Sequence, residues 1–167
     1  MPARQTSTRW RRLLRPLLAL AAAGIASATA PAPALADGPQ IDGRERNVVH
    51  RINQVRIDHG LRPLDLTPGL SRAADRHSRW QARSRTLSHR LPGERDLTAR
   101  LRKPAGGAPV GEVIFWSTGG SRSAQLVRAW MDSPGHRATL LSSSFSRAGI
   151  GIRAGRGGLY ATIDVAG

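Results

Sequence analysis

Three side chains in this sequence are of types that do chemistry together: His89, Glu112 and His136. Two imidazoles and a carboxylate are the smallest set that suits a divalent cation, with Zn²⁺ or another divalent ion as the cofactor and water in the open position. The three are spread along the chain, without the i, i+4 histidine pair of a helical metal site. The same residues also read as a hydrogen-bonded cluster tying helices to a sheet, with His89 and Glu112 as a natural pair. His136 lies just beyond Pro134-Gly135, which should stop a helix or bend the chain sharply. Trp130-Met131 before it and Leu140-Leu141 after it call for burial, so packing should hold this histidine in place.

Catalysis would ask more of these groups. A metal-bound water needs a general base placed to take its proton. Glu112 can bind a metal or act as that base, but hardly both. A serine nucleophile would need an aligned histidine and acid. Ser88 is next to His89 in sequence, and neighbours rarely point at each other, so Ser88 reads as structural. There is no cysteine in the chain. That excludes a disulfide framework, a thiolate zinc site and a lipid-modified cysteine anchor.

The elements that must position these groups follow from periodicity. Val48, Ile52 and Val55 fall on one face of a helix over Arg44 to His59, which Gly60 should stop. Leu61 to Leu64 reads as an extended connector. Thr67-Pro68 reads as an N-cap and first turn of a second helix ending near Ser84, with Leu70, Ala73, Ala74, His77 and Trp80-Gln81 along one side. His77 is expected to be a partly buried structural histidine bonded to backbone. Residues 90–94 read as a polar loop, Arg95 to Arg102 as a short basic helix and Pro104 to Pro109 as a flexible turn. Val110 to Trp116 reads as a strand carrying Glu112 near its start. Ser121 or Ser123 should cap the next helix. Arg147 to Arg153 and Leu159 to Val165 read as two strands joined through Gly155-Arg156-Gly157-Gly158 as a hairpin. Helices first and an antiparallel hairpin late point to an α+β fold.

The length suits one domain plus an export signal. Residues 1–36 read as a signal peptide: Arg9, Arg11, Arg12 and Arg15 precede a short apolar run from Leu17 to Ala28, and Ala34-Leu35-Ala36 offers a cleavage site. The chain would then be secreted, extracellular or in the cell envelope, with residues 37–44 as linker and 45–167 as the domain. The net charge is +15, and loss of the five leader arginines leaves about +10, with Lys103 the only lysine. Such a surface should attract anionic polymers: an anionic cell-wall polymer, anionic lipid, or nucleic acid without sequence preference. No recognition helix or run of stacking aromatics supports sequence-specific nucleic-acid binding. A monomer is expected.

The order of short motifs adds a family. Asn53-x-x-Arg56, Leu61-x-Pro63-Leu64, Leu70-x-x-Ala73-Ala74-x-x-His77-Ser78, Leu87-Ser88-His89, Gly111-Glu112, Trp130-Met131-x-Ser133-Pro134-Gly135-His136-Arg137 and Gly149-Ile150-Gly151 together resemble the CAP superfamily, or SCP domains, in its secreted bacterial branch. The resemblance implies an α-β-α sandwich with a small antiparallel sheet flanked by helices. It implies a cleft of two histidines and two acids, onto which His89, His136 and Glu112 map. The position of the second acid, three residues beyond Trp130, holds Ser133, which should lie at the cleft rim; the neighbouring Asp132 points elsewhere on a helix. Relatives also offer a glutamine near the centre of the last strand, where this chain has Ile163 and then Asp164. The function implied is an extracellular or cell-envelope binding module with a lipid or protein ligand. The alternatives are a metal-dependent hydrolase acting on protein or cell wall through the same cleft, and a lipid or sterol carrier.

Overall fold

The computed structural model describes residues 41–167. The expected signal peptide and the first part of the expected linker lie outside the described residues. The first helix, α1, spans Gly43–Asp58 and so starts inside the segment read as linker. Asp42 accounts for this: its side chain accepts from the Glu45 backbone N–H at 2.7 Å, and the Glu45 carboxylate accepts from the Asp42 N–H, closing a capping box. The two-residue strand β1, Asp65–Leu66, leads into helix α2, Pro68–Ser84. Then come α3 (Leu97–Ala105), β2 (Val110–Ser117), α4 (Ser123–Asp132), α5 (Pro134–Leu140), β3 (Arg147–Gly155) and β4 (Gly158–Ala166).

Helix α2 begins and ends where the sequence reading put it, while three other boundaries differ. Thr67 precedes α2 in an extended conformation but makes no capping bond, and its hydroxyl is buried without a partner among the described residues. Helix α3 continues through Pro104, because Asp96 caps its start and Gly106, in the left-handed region, stops it. Arg122 occupies the N-cap position of α4, between the two serines expected there. The proline–glycine pair both ends α4 and opens α5, since Pro134 is tolerated in a first helical turn.

The sheet runs β1-β3-β4-β2. The β2–β4 and β3–β4 pairs are antiparallel, while β1 lies parallel to β3 at one edge, so the small antiparallel sheet becomes mixed there. Side-chain alternation along β4 sorts the two helical layers. Ala161, Ile163 and Val165 join the main core with Val48 and Ile52 of α1 and Leu126 and Trp130 of α4. Thr162 and Ala166 face the other way: Thr162 Oγ1 meets Ser78 and Gln81 of α2, and Ala166 packs with Leu70 and Leu101. The result is the α-β-α sandwich.

The motif residues acquire physical roles in this frame. Gly149 and Gly151 lie where α2 rests on β3; a Cβ on Gly149 would be 2.1 Å from the Leu70 carbonyl carbon, and one on Gly151 would be 2.4 Å from Asp75 Cα. Arg56 is buried and donates to the carbonyls of Arg62, Leu140, Ser142 and Phe145, tying α1 to the segment after α5. Asn53 clamps both backbone groups of Leu64.

Candidate functional site

The site is built on the sheet face that meets α2 and α3. Glu112 is the third residue of β2 and stands opposite Asp164 of β4 in register. Its carboxylate is fully covered. Oε1 accepts from His89 Nδ1 at 2.7 Å, and Oε2 accepts from Arg100 Nη2 of α3 at 2.6 Å. His77, buried on α2, approaches Oε2 to 3.7 Å through Nε2. The same Nε2 faces the Ser88 carbonyl at 3.0 Å, while Nδ1 meets Glu94 Oε1 at 2.8 Å. Both nitrogens face acceptors, an arrangement satisfied in full only by a ring donating from each. Arg100 Nη1 lies 3.6 Å from Glu94.

The charges in this network are ordered by their surroundings. Burial would push the Glu112 carboxyl up, but the His89 hydrogen bond, the Arg100 guanidinium and His77 together hold it below the ordinary carboxylate range. Asp164 goes the other way. It is completely buried, neither of its oxygens has a hydrogen-bond partner among the described residues, and burial followed by the Glu112 charge pushes it well up. The surroundings of two adjacent carboxyls thus push them apart, Glu112 toward the ionised form and Asp164 toward the neutral one.

His136 enters from α5. It is half-buried, and burial followed by repulsion from His89 holds its imidazole below the ordinary range. The fold therefore pairs two of the three expected residues, with Glu112 inside and His89 bound to it with its side chain 57% exposed; His136 makes no hydrogen bond or ion pair to either among the described residues and feels only the charge of His89. Ser133 is the joint between α4 and α5, and its hydroxyl caps neither helix. Asp132 is exposed.

Glu94, Arg100 and Asp164 were not singled out from sequence as members of this network, and His77 was assigned only a backbone bond. Asp164 did leave a signal, as a lone carboxylate in an otherwise apolar strand. Ile163 faces the opposite layer, so Asp164 is the residue that turns toward the site. Glu94 lay in a loop that read as solvated, yet it is buried.

The donor set bears on the metal reading. Both Glu112 oxygens already accept from protein donors. Among the described residues no three His, Cys, Asp or Glu side chains converge to hold a metal ion. As they stand, these residues do not fit a three-ligand zinc centre. The Nδ1 contact with Glu112 leaves His89 Nε2 as the nitrogen open to a ligand.

The α-β-α sandwich with its short parallel edge strand defines the class of fold, and comparison supplies the family. Residues 49–165 match the cysteine-rich secretory protein family, CAP, and the chain belongs to that family. It is similar to the uncharacterized protein YkwD of Bacillus subtilis, with 27% identity over 122 residues that cover 66% of this chain and 43% of that protein. It is also similar to the uncharacterized membrane protein YlbC of the same organism, with 28% identity over 114 residues covering 65% of this chain and 31% of the relative. The chain thus spans less than half the length of both relatives. The fold matches an outer surface protein from Borrelia burgdorferi at a TM-score of 0.67 and 18% identity, over 77% of this chain and 96% of that one. It matches an extracellular SCP-domain protein from Bacillus anthracis at a TM-score of 0.65 and 24% identity, over 72% of this chain and 39% of that one. Among the described residues no helix is long and apolar enough to cross a membrane.

Proposed function

We propose that the chain is an exported, noncatalytic binding module of the cell envelope or its surroundings. His89 and His136 form the ligand edge of its cleft, and Glu112 is the anchor behind them. The observation that carries this reading is the double commitment of the Glu112 carboxylate, to His89 on one oxygen and to Arg100 on the other. A general base needs a free oxygen aimed at substrate or water. Each Glu112 oxygen already accepts from a protein donor and the side chain is wholly covered, so neither oxygen faces substrate or bulk water, and Asp164, the other acid at hand, is sealed from solvent. Export is supported by the leader-like first 36 residues and by the likeness to an extracellular SCP-domain protein. In this reading a divalent cation at the cleft gains two imidazole donors, with Glu112 orienting His89 from behind, and is held weakly.

Incubation of the purified chain with peptidoglycan and with casein tests the noncatalytic assignment. Product release no greater than that of Glu112→Gln is expected. Turnover abolished by Glu112→Gln would establish the hydrolase alternative instead. Calorimetric titration with Zn²⁺ should give weak binding that disappears in His136→Ala; tight stoichiometric uptake would contradict the assignment of Glu112 as an anchor.

A further inference from the structure

The outer face of α2 carries Arg72, Arg76, Arg79 and Arg83. At 100° per residue these four fall within a sector of about 60°, along about 16 Å of helix. An arginine-lined concavity flanks this stripe on each side, one beside its middle and one toward its C-terminal end. One, of about 350 Å³, lies between α2 and α3, where Arg76, Arg95 and Arg100 surround the half-exposed Trp80. The other, of about 300 Å³, lies where the end of α2 meets the β3–β4 hairpin and is lined by Arg79, Arg83, Arg85, Arg153 and Arg156. Neither is lined by His89, Glu112 or His136.

The local acids neutralise only part of this face, at Arg79, Arg100 and Arg153. Asp75 is taken by Arg79 and Arg153, Glu94 by His77, and Asp96 by the α3 cap. Arg72, Arg76, Arg83, Arg85, Arg95 and Arg156 form no ion pair among the described residues. Arg85 adds a separate observation. It ends α2 with φ at 55°, the one non-glycine residue with positive φ among those described. An arginine there costs about 1 kcal/mol that glycine would not. Strain of this kind, kept where a side chain reaches into a concavity, points to use.

The geometry points to a docking face for a linear polyanion of repeating phosphodiesters, of the glycerol-phosphate type found in cell walls, lying along α2 from the Trp80 concavity to the hairpin concavity. Guanidinium groups spaced by helical turns pair with successive phosphates, and their planar forks suit phosphate oxygens. The first concavity shares His77, Glu94 and Arg100 with the network behind Glu112; the variants below leave those three residues in place, so the test of this face is separate from the proposed role of the histidines.

The test compares two variants of the full chain that each lose four positive charges. One is Arg76→Gln, Arg83→Gln, Arg85→Gln and Arg156→Gln. The other is Arg46→Gln, Arg51→Gln, Arg122→Gln and Arg128→Gln, exposed residues of α1, of the N-cap of α4 and of α4 itself. Binding to a fluorescent glycerol-phosphate polymer is followed against salt. The first variant should bind roughly tenfold or more weakly, with a salt slope shallower by about 3, from ~0.7 per phosphate released. The second should stay near wild type in both. Equal losses in the two variants would reduce the effect to net charge and overturn the docking face. Tighter binding of single-stranded DNA than of a glycerol-phosphate polymer of equal charge would overturn the partner class.

Discussion

Glu112 and Asp164 are register partners on β2 and β4, and their surroundings shift the two carboxyl groups in opposite directions, Glu112 down and Asp164 up. Two buried acids side by side cannot both ionise cheaply. Arg100 and His89 settle which one does, because both donate to Glu112.

This division has a pH signature. Asp164 is raised in the folded chain, so its contribution to stability is full below its unfolded value and is lost as pH rises toward its folded value. Glu112 is lowered, so its contribution is present above its unfolded value and is lost as pH falls through its folded value. Asp164→Asn removes only the first effect. The stability of Asp164→Asn relative to wild type should therefore climb by about 1.4 kcal/mol per pH unit above the unfolded carboxylate range, levelling at the folded value. Urea midpoints across pH 4 to 8 measure it; a constant difference would contradict the neutral state of Asp164.

Arg100→Met should leave Glu112 as a covered charge with one donor lost. Breaking a buried pair from one side typically costs about 3–5 kcal/mol. Arg100→Met combined with Glu112→Gln should recover much of that loss. A double-mutant cycle by chemical denaturation checks the coupling, and additive effects would show that the pair is not coupled.

Arg85→Asn should raise stability by about 0.5–1 kcal/mol, since asparagine tolerates the left-handed region better than arginine. The same variant should weaken polyanion binding. Thermal melting and polymer binding measured together separate the two effects, and loss of stability would remove the strain argument.

Gly149→Ala should destabilise strongly, by about 3 kcal/mol or more, because the new methyl group meets the α2 backbone at Leu70 rather than a movable side chain. A melting temperature within a few degrees of wild type would mean that α2 can lift off β3.

Much of this architecture could be read before folding was considered. The apolar spacing of Val48, Ile52 and Val55 places α1, and the Gly155–Gly158 turn places the hairpin, because both are local. The pairing of His89 with Glu112 was legible as residue types, and the sandwich through the family resemblance. Arg100 and Glu94 were hidden for a physical reason. A charged residue on a short helix or in a loop reads as solvated, and only the packing of α3 beside β2 puts these two against the sheet. Pro104 misled because proline usually ends helices, yet in a last turn it leaves the stop to Gly106.

The account rests on Glu112 being a fixed anion that anchors His89. Site-resolved carboxyl-carbon NMR titration of the chain measures this most directly. Glu112 should stay ionised to below the ordinary carboxylate range, while Asp164 should take up its proton well above that range. A Glu112 carboxyl that takes up its proton near neutral pH would contradict the anchor and restore it as a catalytic acid or base.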